Sequence, residues 1–223
     1  MIRFDRAGYP FFAVSLVLAV LAWEWVSNWL ALVFLVFFAF FVFFFRDPDR
    51  TPATRADAVV SPADGRVLVA GPAVAGAAPE GQWQQVSIFL SLLDVHINRS
   101  PYGGRVVSVT HVPGRFLAAY RAASATKNER TDIVVERVVA GQSRRVVYRQ
   151  LVGQLARRIV TRIRPGDDVA TGERIGLMKF GSRMDVFLPP HVTLEVSKGR
   201  RAVAGETVLG RFPAVDADEE PTA

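Results

Sequence analysis

The sequence predicts a mainly β domain carried behind a pair of apolar helices. Two observations carry that expectation. From Pro10 to Phe45 the only polar side chains are Ser15, Glu24, Ser27 and Asn28. Beyond residue 60 the chain breaks into short Val- and Ile-rich segments bounded by Gly, Pro, Asp and Asn, which is the signature of strands and turns.

Residues 1–45 are expected to form a membrane anchor, with helices at 10–26 and 29–45. The run WLALVFLVFFAFFVFFF (29–45) holds no charge. Seventeen residues reach about 25 Å, within the lower range for a spanning helix. Trp23, Trp25 and Trp29 cluster at the polar break, where interfacial aromatics sit. The pair therefore reads as a transmembrane helical hairpin, with full crossings favoured over a shallow re-entrant one. Arg3 and Arg6 precede it and Arg46, Arg50 and Arg55 follow it, so both ends are expected on the cytoplasmic side of the cytoplasmic membrane. A cleaved signal peptide fits less well, because a second and longer apolar run follows the first.

Residues 46–60 carry prolines and turn residues and read as an extended connector. The β domain should span 61–215, with strands at 66–70, 85–90, 105–111, 132–139, 144–152, 157–163, 185–189 and 191–196. A short helix fits within 115–130, GQSRR (141–145) reads as a hairpin turn, and 69–81 as an exposed loop. Residues 216–223 are expected to form a flexible acidic tail.

The formal charge is +6 over 223 residues, yet residues 1–45 sum to zero and the tail holds four acids, leaving +10 on 46–215. A basic domain tethered to a bilayer points to anionic lipid headgroups. Nucleic acid is the weaker partner, since no motif for it is present and a membrane anchor makes that role awkward. The absence of cysteine excludes disulfides and thiol chemistry.

The stretch KFGSRMD (179–185) says little alone. It stands in a series, however: FFRDPDRTP (44–52), SPADG (61–65), LLDVHINRSP (92–101), KNERT (127–131), GQLARRI (153–159) and GERIGLMKFGSRMDVFLP (172–189). In that order, behind an apolar N-terminus, these pieces resemble the short proenzyme type of phosphatidylserine decarboxylase. The resemblance implies that the chain cuts itself between Gly181 and Ser182 into a β chain (1–181) and an α chain (182–223) that remain associated. Ser182 would become a covalent pyruvoyl group that forms a Schiff base with the amine of phosphatidylserine in an anionic bilayer. No pyridoxal phosphate and no metal would be needed, and a homodimer is compatible with the family.

Gly181 suits the cleaved position, because a residue without Cβ reaches strained conformations and leaves its carbonyl open. Of His96, His111 and His191, only His96 lies in a matching motif, and it is the candidate general base and acid. Asp64 of SPADG is the family's candidate to orient it. Arg99, Arg183 and Lys179 are candidates for the headgroup phosphate. His111 and His191 read as structural or surface residues, and Asn128, Glu129 and Arg130 as either functional or architectural. Longer bacterial relatives have a second His where this chain has Arg99, so His96 would serve two steps, or water or Asp64 one of them.

RPGDDVATGERIGLMKF (164–180) also resembles biotinyl and lipoyl carrier domains, with Met178 and Lys179 at the place of the modified lysine. That likeness supports a flattened β sandwich of duplicated carrier-like, barrel-sandwich-hybrid halves. As function, a carrier modified on Lys179 is the weaker reading, because it leaves SPADG, DVHINRSP and KNERT unexplained. Isoprenoid ether lipid of the archaetidylserine type is an alternative substrate, since the motifs address the headgroup and not the tails.

Overall fold

The computed structural model describes residues 3–53, 55–154 and 158–214. The expected acidic tail and residue 157 of the expected strand 157–163 lie outside them.

Helices α1 (Tyr9–Trp25) and α2 (Asn28–Phe44) form the predicted pair, each starting and ending one residue early. Pro10 opens α1, where its missing N–H is not needed. Ser27 caps α2 by accepting from the Trp29 amide at 3.2 Å. Contacts of Phe11 with Phe41 and of Phe12 with Phe38 make the helices antiparallel. Small residues, Ser15, Ala19, Ala22 and Ala31, are buried, whereas large apolar side chains along both helices are exposed. The stretch Arg6–Trp25 is long and apolar enough to cross a membrane.

The rest of the protein is mainly β. Short strands β1 (Arg3–Phe4) and β2 (Arg46–Asp47) pair across the two ends of the hairpin. After β3 (Ala58–Val60) come β4 (Gly65–Pro72), β5 (Gln84–Leu90), β6 (Ile97–Arg99) and β7 (Gly104–Val112). A one-turn helix, α3 (Ser124–Lys127), precedes β8 (Arg130–Val139) and β9 (Gln142–Val152). Then follow β10 (Ile159–Thr161), β11 (Asp168–Val169), β12 (Arg174–Met178), β13 (Ser182–Leu188), β14 (Thr193–Leu194), β15 (Arg201–Ala202) and β16 (Val208–Arg211).

An eight-stranded antiparallel sheet runs β11-β7-β8-β9-β13-β5-β4-β15, flanked by β10-β12-β6 and by β14-β16-β3. The main core takes Val67, Val86, Ile88, Ile133, Tyr148, Met184 and Val186 from the large sheet, and Ile175 and Leu209 from the small ones. Two expectations need correction. Residues 142–145 belong to β9, and the hairpin turn is Ala140–Gly141, both at positive φ as a two-residue turn of this kind requires. Residues 191–196 contribute only the two-residue β14.

A second core joins the hairpin to the β domain: Phe44 and Phe45 pack with Val95, Ile97 and Leu177. Ion pairs surround it. Arg162 grips the Asp5 carboxylate with both terminal nitrogens at 2.6 and 2.7 Å. Asp47 takes Arg174 at 2.7 Å and lies 3.5 Å from Arg99. Arg46 donates to the carbonyls of Phe43 and Leu93, both at 2.7 Å.

Burial alone would raise the Asp5 pKa, but the bonds from Arg162 and the Ala7 amide outweigh it and hold the carboxyl below its ordinary value. The clamp's contribution is therefore complete above the unfolded carboxyl pKa and is lost as pH falls through the lower folded one. Asp5→Asn is expected to speed hydrogen exchange of the Ala7 and Gly8 amides about tenfold at pH 7. Unchanged exchange at those amides would show that the pair does not hold the base of the hairpin.

Candidate active site

The turn Lys179–Gly181 links β12 and β13, which belong to different sheets. Ser182 opens β13 and is fully buried; its register partners are Leu90 on one side and Val152 on the other. The two residues before it both occupy the left-handed region, Phe180 at φ 65° and Gly181 at φ 76°. Glycine adopts that conformation readily, but a phenylalanine there stores strain on the order of 1–2 kcal/mol. Packing holds it: the Phe180 ring stacks on Phe44 at 4.8 Å and meets Phe11 edge-on at 6.2 Å. On the other side, a Cβ added to Gly153 would stand 2.3 Å from the Gly181 carbonyl oxygen, so the chain passes closest where Gly153 has no side chain.

His96 is buried one residue before β6. Its Nδ1 lies 2.9 Å from the Asp94 carbonyl oxygen. A carbonyl only accepts, so Nδ1 carries the proton and Nε2 is bare. Nε2 then accepts the Gly181 N–H at 3.3 Å. Burial pushes the His96 pKa down from 6.5 to about 4, against the opposing pull of Asp94, so the ring is neutral near pH 7. Ser182 Oγ, buried next to this amide, makes no hydrogen bond. A buried hydroxyl without a partner needs an explanation, and a catalytic role supplies one.

Asp64 does not take the expected place beside His96. Its carboxylate accepts from Arg50 at 2.8 Å and from the Ala204 amide at 2.7 Å, and burial raises its pKa. It ties the connector to the loop before β16. The residue that orients the imidazole is Asp94, through its main-chain carbonyl. The Asp94 side chain in turn accepts from the Ser91 amide at 2.8 Å and its hydroxyl at 2.6 Å, and from Arg201. The spacing Ser91-x-x-Asp94 is the signal that sequence reading passed over.

Arg99 and Arg183 are also not free for a phosphate. Arg99 points inward to the carbonyls of Gly172 and Pro48 and to Asp47. Arg183, buried on the face of β13 opposite the main core, bonds Asp185 at 2.6 Å and Ser87 Oγ at 2.9 Å. Lys179 is half-buried at the base of the hairpin, with Nζ 5.0 Å from the Phe11 ring centre and 5.9 Å from that of Phe45. Desolvation, then the charge of Arg158, lowers its pKa.

His111 faces Thr131 and Glu129, and His191 packs against Phe212. Asn128 has an architectural role that the KNERT motif left open. Its Oδ1 accepts from the Leu117 amide at 3.0 Å, and its Nδ2 donates to the carbonyls of Leu117 at 2.7 Å and Val152 at 2.8 Å. This fastens the segment after Leu117 to the end of β9. Between them opens a cleft of about 230 Å³ that reaches Gly181, lined also by Phe89, Ser91, Leu92, Tyr120 and Phe180.

The family profile of phosphatidylserine decarboxylase matches residues 37–210. The chain belongs to the phosphatidylserine decarboxylase family. It is 42% identical to a phosphatidylserine decarboxylase proenzyme of Mycolicibacterium vanbaalenii, over 93% of this chain and 88% of that one. It is 44% identical to the proenzyme of Geotalea uraniireducens, covering 92% and 95%, and 43% identical to that of Mycobacterium leprae, covering 91% and 86%. In this decarboxylase-family chain, four separated motifs meet within one site: the start of FFRDPDR at Phe44, the LLDVHINRSP loop at Asp94 and His96, the GQLARRI start at Gly153, and FGS.

Asn128→Ala removes three hydrogen bonds of a buried side chain and leaves Leu117 and Val152 groups unpaired. It is expected to lower stability by about 2–4 kcal/mol in denaturant unfolding of the detergent-solubilised protein. A change under about 0.5 kcal/mol would mean that Asn128 does not hold the wall of the cleft.

Proposed function

We propose that this chain is a phosphatidylserine decarboxylase that matures by cutting itself between Gly181 and Ser182. One observation carries the reading: a buried serine hydroxyl without a partner follows a left-handed glycine whose amide is bonded to a neutral histidine. For cleavage, His96 Nε2 exchanges the Gly181 N–H for Ser182 Oγ and takes its proton. The oxygen attacks the Gly181 carbonyl carbon, the C–N bond to residue 182 breaks, and the proton passes to the freed amine. Loss of the residue 182 Cα proton then breaks the Cβ–Oγ bond. A Gly181 carboxylate leaves, and water replaces the nitrogen at residue 182 as ammonia departs. The strain at Phe180 favours the step that releases it.

The position of Ser182 also fits the pyruvoyl group that replaces it, because its hydroxyl is buried and makes no hydrogen bond among the described residues that the conversion would break. The group's ketone supplies the electron sink for loss of CO2. The chain's own residues do the remainder: His96 returns a proton to the substrate, the cleft beside Gly181 admits the serine headgroup, and Lys179, three residues before Ser182, is the remaining sequence candidate for the phosphate. The α chain is retained because β13 is hydrogen-bonded on both sides.

In the membrane reading, α1 and α2 insert from the cytoplasmic side and set the site at the headgroup level, where anionic lipid meets the basic domain. The motifs leave diacyl and ether lipids equally acceptable. A carrier-like sandwich is our reading of the β architecture, supported by Gly65 and Gly166, both at positive φ, in the ADG and PGD turns. A carrier role for Lys179 is disfavoured, because it lies between two sheets against Phe11 and Phe45 rather than at a free hairpin tip.

Ser182→Ala is expected to give one uncut chain and no CO2 release from phosphatidylserine vesicles. A variant still split before residue 182 would overturn the mechanism. Gly153→Ala should slow the split at least tenfold, since its methyl displaces the carbonyl under attack; wild-type cleavage in that variant would remove Gly153 from the step.

A further inference from the structure

The hairpin does more than lie next to the β domain. Phe44, the last residue of α2, is 1% exposed, although it ends a helix on which Trp29, Leu32, Val36, Phe37 and Phe43 are exposed. Its ring lies 4.2 Å from the His96 ring at an interplanar angle of 33° and 4.8 Å from Phe180 at 27°. One aromatic ring thus packs against both the imidazole and the strained residue that precedes the scissile glycine. Arg46 fastens the end of α2 to Leu93, in the same loop whose Asp94 carbonyl fixes the imidazole.

We propose that Phe44 is a positioning residue for self-cleavage, so that the apolar hairpin is a structural part of the active site and not only its tether. The inference rests on the reading of His96 as the base for the Gly181–Ser182 cut. Phe44 excludes water from His96, keeping Nε2 unprotonated and aimed at the turn, and it braces Phe180 in its left-handed conformation. Seating of α2 against the β domain therefore precedes cleavage, and an unseated hairpin leaves the chain uncut.

The charged groups that act on the imidazole are Asp94, from its own loop, which favours protonation, and Arg46, after α2, which opposes it. Lys179 is turned to Phe11 and Phe45. All three remain when Phe44 is changed, so the variants isolate the apolar cover. With the cover, the ring stays neutral from pH 5.5 to 7.5 and cleavage is flat across that range. Without it, the ring returns toward its ordinary value near 6.5, and the neutral fraction falls about tenfold between pH 7.5 and 5.5.

The test uses the full chain, synthesised cell-free into nanodiscs of phosphatidylglycerol and phosphatidylcholine, with the split followed on denaturing gels by intact mass. Wild-type protein should cut at a rate independent of pH over that range. Phe44→Ala should cut more slowly at pH 7.5 and lose about a further tenfold by pH 5.5. Phe44→Leu, which keeps an apolar cover, should retain the flat profile and recover most of the rate. Phe44→Ala cutting at the wild-type rate, or slowed equally at every pH, overturns the proposal, as does a Phe44→Leu profile as steep as that of alanine. An uncut wild-type chain would instead refute the self-cleavage reading on which this one stands.

Discussion

The constraint on which the rest depends is the placement of Ser182 at the first position of β13, in the middle of an eight-stranded antiparallel sheet. From Ser182 to Phe187 the backbone is paired with β5 on one side and β9 on the other. That stretch cannot shift without breaking both ladders. The turn before it must therefore absorb the change of direction from β12, in another sheet. It does so in two consecutive left-handed residues, one of them a phenylalanine. Rigidity after the bond and strain before it are two sides of one topological requirement.

That strain persists because packing over-determines it. Phe180 is held by Phe11 and Phe44 from the helices, and the Gly181 carbonyl by the close approach of Gly153. His96 is enclosed by the same aromatic cluster, so one set of contacts both holds the turn and lowers the basicity of the ring beside it. A neutral, desolvated imidazole is a weaker base than a solvated one, but it is available as a base at every pH above about 5. The ion pairs of Asp5 and Asp47 around the cluster keep the helices in place against the domain.

Much of the fold was legible in the sequence. The long strands of the large sheet alternate or run apolar between turn residues, and each was placed within a few residues. β6 and β12 were not placed. Ile97–Arg99 is two-thirds polar yet entirely buried, and Arg174–Met178 carries a glycine and is buried on both faces at its end, so neither shows a period of two. β14 fell short of its expectation because Pro189 and Pro190 delay its start. In the site, the motifs that hold Gly181, Ser182 and His96 were recognisable, and the structure brings the three together. Which aspartate serves His96 was not legible: Asp64 and Asp94 both lie in motifs, and only the fold shows that a main-chain carbonyl makes the contact. Arg99 and Arg183 carry the charge a phosphate needs, but both are buried and bonded within the protein, which residue type does not reveal.

In the membrane reading proposed above, the clamped base of the hairpin also acts as a depth gauge. With the helices seated against the β domain, the distance from the edge of the hydrocarbon layer to residue 182 would be set by a single aromatic layer rather than by a flexible leash. Each methylene drawn out of the bilayer costs about 0.8 kcal/mol, and a two-tailed substrate lifted by a few carbons would forfeit several times that. A site held at this height lets a headgroup react while its tails stay immersed.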